Sequence, residues 1–223
     1  MKSYTNTTSS MKDQKLALTR RHFVASAGIA PIAFGAMSVL TPGTAQAGVM
    51  DLLEGDKILG DKSAPIAVVE YASLTCPHCA RLHNGTLVKF KKDYVDTGKA
   101  YLVFRDFPLD RYAFQASVLA HTAGEGRFFA ALNYLFKNQD KWRGASDVTA
   151  AIIDMAKAIG VPKAQFEAAL KDEKLGESIL TDRMVAANDY GVNSTPTLFI
   201  NGDLYEGNWA DYPTFDAYLK SLL

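Results

Sequence analysis

Glu70 to His83 reads "EYASLTCPHCARLH" and holds both cysteines of a 223-residue chain, Cys76 and Cys79, with Pro77 and His78 between them. Just upstream, "PIAVVEYA", residues 65–72, is a short apolar run rich in Val and Ile and bounded by "GDKSA". It reads as a buried strand. The cysteines then fall where a strand of a parallel unit turns into its helix. Cys76 takes the N-cap and Pro77 the first helical position, where a missing N–H is harmless. Unpaired backbone N–H groups and the positive end of the helix dipole face the Cys76 sulfur and favour its thiolate. His78 can add a donor or a positive charge. Cys79 lies one turn further along the same face, within bridging distance and less exposed. An accessible thiol of low pKa with a resolving thiol behind it is what thiol–disulfide exchange requires.

Two other uses of the pair weigh less. Structural zinc and iron–sulfur sites take four protein ligands, and no second C-x-x-C is present. His83, four residues after Cys79, is a possible extra ligand, whereas His121 lies far along the chain. A bridge closing so short a loop removes little entropy from the unfolded chain, so a purely structural staple gains little. No metal site is expected.

Downstream, Gly98 ends a helical stretch and "KAYLVFRDF" from Lys99 reads as a second strand. "TPTLFINGDLYEG" gives a strand at 197–200, an Asn201-Gly202 turn and a returning strand at 203–206, because Asn-Gly between two such runs is a strong hairpin signal. An amphipathic helix with Tyr212, Phe215, Tyr218 and Leu219 on one side closes the sequence. Between the second strand and the hairpin, about residues 109–190, the apolar spacing is helical. Phe128, Leu132 and Leu135 mark one segment, Val148, Ile152, Met155 and Ile159 another, and Pro162 restarts a helix near its first turn. The fold class is α/β, a sheet with an inserted helical subdomain.

The first 47 residues read as a leader rather than as fold. Arg20 and Arg21 precede an apolar run, residues 24–40, and a small-residue site, Ala45-Gln46-Ala47. This is the order of an export signal peptide, cleaved after Ala47. The paired arginines with Phe23 two places on resemble a twin-arginine signal, with general secretion as the alternative. Seventeen residues interrupted by Pro31 are too few and too weakly apolar for a spanning helix. The leader holds five of the 24 basic and one of the 24 acidic residues, which leaves residues 48–223 at net −4. With a formal charge of zero overall, the chain shows no electrostatic footprint for nucleic acid. Hydrophobic residues at 48% are ordinary for a globular protein.

"VVEYASLTCPHCARLH", "VFRDFPLD" and "GVNSTPTLFING" together resemble the DsbA family of exported thiol–disulfide oxidoreductases, built on a thioredoxin fold. The resemblance covers most of residues 64–223. It implies that Cys76 attacks, that Cys79 resolves, and that Glu70 is a buried acid which moves the Cys79 proton. It implies that Pro196 follows a cis peptide bond beside the cysteines, and that Thr195 offers its backbone to a bound peptide. Alternation along the strand leaves open whether Glu70 faces the core or solvent, and Pro196 also reads simply as the start of a strand.

Pro77 and His78 match the oxidising members. The expected activity is therefore a periplasmic, monomeric oxidase that donates disulfides to reduced or unfolded exported proteins and is reoxidised by a membrane partner. It needs no cofactor beyond the Cys76–Cys79 pair. Thr195 also occurs in isomerase-like relatives, so isomerase or reductase is the alternative, and an exported chaperone the non-enzymatic one. Asn84-Gly85 marks a kink in the active-site helix. His83 reads as a helix-surface residue, and Asp106, Pro108 and Asp110 as turn residues without chemistry.

Overall fold

The computed structural model describes residues 48–223. The expected leader and its cleavage site after Ala47 lie outside the described residues. Strand β1, Lys57–Leu59, is followed by β2, Ile66–Ala72, whose seven residues are all buried, as a central strand covered on both faces must be. Helix α1, Pro77–Asn84, starts at Cys76 and stops where Gly85 adopts φ −122° and ψ −89°. A Cβ at Gly85 would sit 3.0 Å from the Arg81 carbonyl oxygen. The expected kink is thus a full break, after which α2, Thr86–Phe90, runs into one π-helical turn over Lys91–Val95. Gly98, at φ +69°, turns the chain into β3, Ala100–Asp106.

The helical block follows as α3, Arg111–Thr122; α4, Phe128–Lys137; α5, Gln139–Arg143; α6, Val148–Ala158; α7, Lys163–Ala169; and α8, Glu173–Asp189. Asp110, Asp147 and Asp172 cap α3, α6 and α8 by accepting backbone N–H groups of the first turn. Each such cap contributes about 1 kcal/mol. The hairpin is β4, Thr197–Ile200, and β5, Asp203–Leu204, two residues shorter than the expected returning strand. Asn201 and Gly202 both have positive φ, +50° and +100°, which is the geometry that selected Asn-Gly there. Helix α9, Tyr212–Lys220, capped by Asp211, ends the chain.

The five strands are ordered β1-β3-β2-β4-β5, with β2 and β3 parallel and every other pair antiparallel. Ile66, Val68, Glu70 and Ala72 point to the face that carries α1 and the helical core of Leu119, Phe128, Leu132, Phe136 and Trp142. Ala67, Val69 and Tyr71 point to the other face, where they meet Ala186 and Val192 near the end of α8 and Val49 and Met50 of the N-terminal segment. That segment is held by Arg105, whose five N–H donors are all used. The guanidinium binds Asp56 through two bonds of 2.9 and 2.8 Å, and also the Val49 and Asp51 carbonyls and the Tyr71 hydroxyl. A buried guanidinium requires full pairing of this kind. The sequence pattern predicts no strand before residue 65, so β1 is an addition to the expected sheet.

Candidate active site

Cys76 occupies the N-cap of α1 in extended conformation, φ −78° and ψ 121°, with Pro77 at the first helical position. The backbone N–H groups of His78 and Cys79 are directed at its sulfur. Both cysteines are free thiols in this structure. The Cys76 Sγ donates to the Thr195 carbonyl oxygen at 3.2 Å. Its pKa is pulled down to about 5, first by the hydrogen bond from the Cys79 thiol, against the opposing effect of burial, then by Thr195 and the two backbone N–H groups. The Thr195 hydroxyl is buried without a partner. The Cys76 thiolate is the acceptor this hydroxyl lacks, so ionisation satisfies both groups at once.

Cys79 is fully buried, and burial pushes its pKa far above the ordinary thiol range, reinforced by the hydrogen bond to Cys76 and by the negative charge of Glu70. Two thiols three residues apart on one helix are therefore split in character, one an anion at neutral pH and the other a neutral donor.

The loop before the helix is held from three sides. Ser73 Oγ accepts the N–H of Leu109, and the Thr75 hydroxyl donates to Asp110 at 2.7 Å. Gln139, buried at the start of α5, donates to the Leu74 and Cys76 carbonyls at 2.8 and 2.9 Å. The helical block thus fixes the carbonyl of Cys76 itself. Asp110 is both a helix cap and an anchor of this loop, and so does more than the turn role read from sequence. Asp106 is buried at the end of β3, where it accepts from the Ser117 hydroxyl and lies 2.7 Å from His121 Nε2. It too is a paired core residue rather than a turn residue. Nothing in the polar run around Gln139 signals its place in sequence.

Glu70 is fully buried on the α1 face of β2. Its two carboxylate oxygens lie 3.0 and 3.1 Å from His83 Nε2. His83 is itself buried, at 5% exposure, and stacks on Phe136 with ring centroids 4.1 Å apart. The surface reading of His83 is corrected: residues 79 and 83 share a helix face, and that face meets the sheet and α4. With Nε2 on Glu70 and Nδ1 3.3 Å from Asn133, neither ring nitrogen is turned to the cysteines. Among the described residues, no cluster of three or more His, Cys, Asp or Glu side chains is arranged to hold a metal ion.

Pro77 and His78 are exposed beside Cys76. The His78 ring is bonded to Arg81 and lies edge-on to Trp209 at 6.3 Å, so its contribution to the Cys76 sulfur comes through its backbone N–H. The Thr195–Pro196 peptide bond is cis. It joins a cavity of about 320 Å³, lined among others by Tyr190, Ser194, Pro196, Leu204, Glu206 and Trp209, that runs along the hairpin edge.

The thioredoxin family model matches residues 53–221. A Rickettsia felis protein provisionally named a protein-disulfide oxidoreductase is 32% identical over 158 residues, which are 70% of this chain and 56% of that protein. The chain thus spans little more than half the length of the curated Rickettsia relatives it matches. Among solved structures, alpha-DsbA1 of Wolbachia pipientis superimposes with a TM-score of 0.69 at 32% identity, over 77% of this chain and 92% of that one. A protein-disulfide isomerase from Novosphingobium aromaticivorans gives 0.67 at 25% identity, over 77% of this chain and 99% of that one. By its redox pair, its sheet and these matches, the chain belongs to the thioredoxin family, among the thiol–disulfide oxidoreductases of DsbA type.

Proposed function

We propose that this protein is an exported, monomeric oxidase that transfers its Cys76–Cys79 disulfide to reduced proteins in the periplasm. The observation that carries this reading is the split between the two thiols: Cys76 drawn down to about 5 and Cys79 driven up by burial. Groups that stabilise the Cys76 thiolate stabilise the reduced pair, which makes the disulfide a stronger oxidant.

The reaction balances as two exchanges. A substrate thiolate attacks Cys76 Sγ, the Cys76–Cys79 bond breaks, and Cys79 leaves as a thiolate that takes a proton from the Glu70 carboxyl. A second substrate thiolate then attacks the substrate sulfur of the mixed disulfide and releases Cys76 as its stabilised thiolate. The substrate loses two electrons and the pair gains them. Pro196 borders the cavity along the hairpin edge and the Thr195 carbonyl lies on Cys76 Sγ, so an extended peptide added there presents its cysteine to Cys76. No cofactor enters the cycle, and a membrane redox partner returns the pair to its disulfide form. The leader of residues 1–47 carries the protein out of the cytoplasm and is removed after Ala47, leaving a thioredoxin domain of residues 48–223 with its helical insertion at about 109–190.

The monomer reading is supported by the N-terminal segment, which is tied to the protein's own sheet by Arg105 rather than held out for a second copy. An isomerase or reductase reading is favoured by Thr195 before the cis proline and by the Novosphingobium aromaticivorans neighbour named an isomerase. The two are told apart with reduced and with scrambled ribonuclease as substrates. An oxidase restores activity to the reduced enzyme and leaves the scrambled one largely inactive. Cys79→Ser should trap mixed disulfides through Cys76, and failure to trap any substrate would sink the thiol-exchange reading.

A further inference from the structure

A cavity of about 460 Å³ opens between α1, α2, α4 and the β1–β3 edge, with His83, Leu87, Phe90, Leu102, Phe129 and Asn133 in its wall. His83 is the link between this cavity and the redox pair. Its Nε2 is shared between the two Glu70 oxygens, and its Nδ1 faces the Oδ1 of Asn133, whose own side chain is exposed. Glu70 and Cys79 are both sealed from solvent at 0% exposure. Every turnover nevertheless requires Cys79 to gain or lose a proton, and that proton needs a route.

We infer that His83 is the relay that exchanges the Glu70 proton with water in this cavity. The inference rests on the reading of Glu70 as the proton partner of Cys79. The two ring nitrogens divide the path: Nε2 shares a proton with the carboxylate, and Nδ1, 3.3 Å from Asn133 Oδ1, is where a proton enters from or leaves to the cavity. A single proton then passes between Glu70 and Nε2 without turning the ring, which the stack on Phe136 holds in place. When Cys79 leaves the disulfide, the Glu70 carboxyl protonates it. Glu70 then draws on the Nε2 proton of His83 while Nδ1, on the Asn133 side of the ring, takes a proton from cavity water, so the proton that enters at one nitrogen replaces the one shared at the other. Disulfide formation runs the same steps backward, so no proton is left over.

The groups facing His83 are few. β2 supplies Glu70, β3 supplies the apolar Phe104 at 6.1 Å, and α4 supplies Phe136 and Asn133. Lys91 and Lys137 border the cavity, and Lys91 is already paired with Asp96 at 2.5 Å.

The test uses the full protein, reduced and mixed rapidly with saturating oxidised glutathione. Acid-quenched samples are read by mass for the first-order step in which Cys79 displaces glutathione from Cys76. His83→Gln keeps a donor toward Glu70 but cannot carry a proton. It should slow that step about tenfold to hundredfold, with Cys76 alkylation unchanged. His83→Ala should be equally slow and should recover in millimolar imidazole, which the enlarged cavity admits. An unchanged rate in His83→Gln, or a slow His83→Ala that imidazole does not rescue, overturns the relay. Glu70→Gln separates the two readings: if it leaves the step at the parent rate, the role of Glu70 itself fails and the relay falls with it. A slow Glu70→Gln beside a normal His83→Gln overturns the relay alone.

Discussion

The stability of the reduced protein should depend on pH through Cys76 in a manner that can be worked out in advance. Its pKa lies at about 5 in the folded state against 9.0 for the free group. A depressed pKa contributes stability that is complete above the unfolded value and is lost as pH falls through the folded one. The window therefore runs from about pH 9 down to about pH 5. At pH 7 the folded thiol is ionised and the unfolded one is not. Two units at about 1.4 kcal/mol each give roughly 3 kcal/mol of stabilisation. Two electrons at 30 mV per 1.4 kcal/mol turn that into about 60 mV of added oxidising strength. The assay is urea unfolding under a reductant at pH 5 and pH 7, for the parent protein and for Cys76→Ser. The parent should gain roughly 2–3 kcal/mol more than the variant between the two pH values. Parallel slopes for the two proteins would refute the thiolate argument, because every other titrating group is common to both.

Three further perturbations follow from particular contacts. Thr195→Val removes the hydroxyl that the Cys76 thiolate would satisfy, and should raise the Cys76 pKa by about one unit and lower the potential by about 30 mV. An unchanged alkylation profile against pH would contradict it. Asp56→Ala strands the buried Arg105 guanidinium and should cost about 3–5 kcal/mol in urea unfolding, whereas a loss under about 1 kcal/mol would show the pair to be dispensable. Asp182 on α8 is driven up to about 7 by burial, then by the nearby Asp106 and Asp56 carboxylates. A raised carboxyl weakens the fold as pH climbs from about 4 through about 7, so Asp182→Asn should stabilise the protein at pH 8 and not at pH 4. Equal effects at both values would refute that.

Much of the frame could be read from sequence because its signals are local. A Val-rich run before Cys76, a proline just inside the helix and Asn201-Gly202 between two apolar runs each act within a few residues. They predicted β2, the start of α1 and the β4–β5 turn. What escaped depends on contacts that no local pattern carries. The three residues of β1 are too few to show alternation, and they are a strand because β3 supplies their partners. Arg105 inside an apolar strand announces a buried charge, yet its partner Asp56 sits 49 residues away in a loop. Glu70 posed the same difficulty in reverse: alternation gave it a side but not which side was covered. His83 could have been placed, since it stands four residues after the buried Cys79 and shares its helix face. Gln139 could not, because a glutamine among polar neighbours looks the same whether it faces solvent or clamps the Cys76 carbonyl.

The central claim is that the site holds Cys76 as a thiolate and so makes the disulfide oxidising. The equilibrium reduction potential of the Cys76–Cys79 couple in a glutathione buffer at pH 7 tests it most directly. The account predicts a value moved from the roughly −270 mV of thioredoxin toward the roughly −120 mV of DsbA by at least the about 60 mV that the thiolate supplies, and one near thioredoxin's would contradict it.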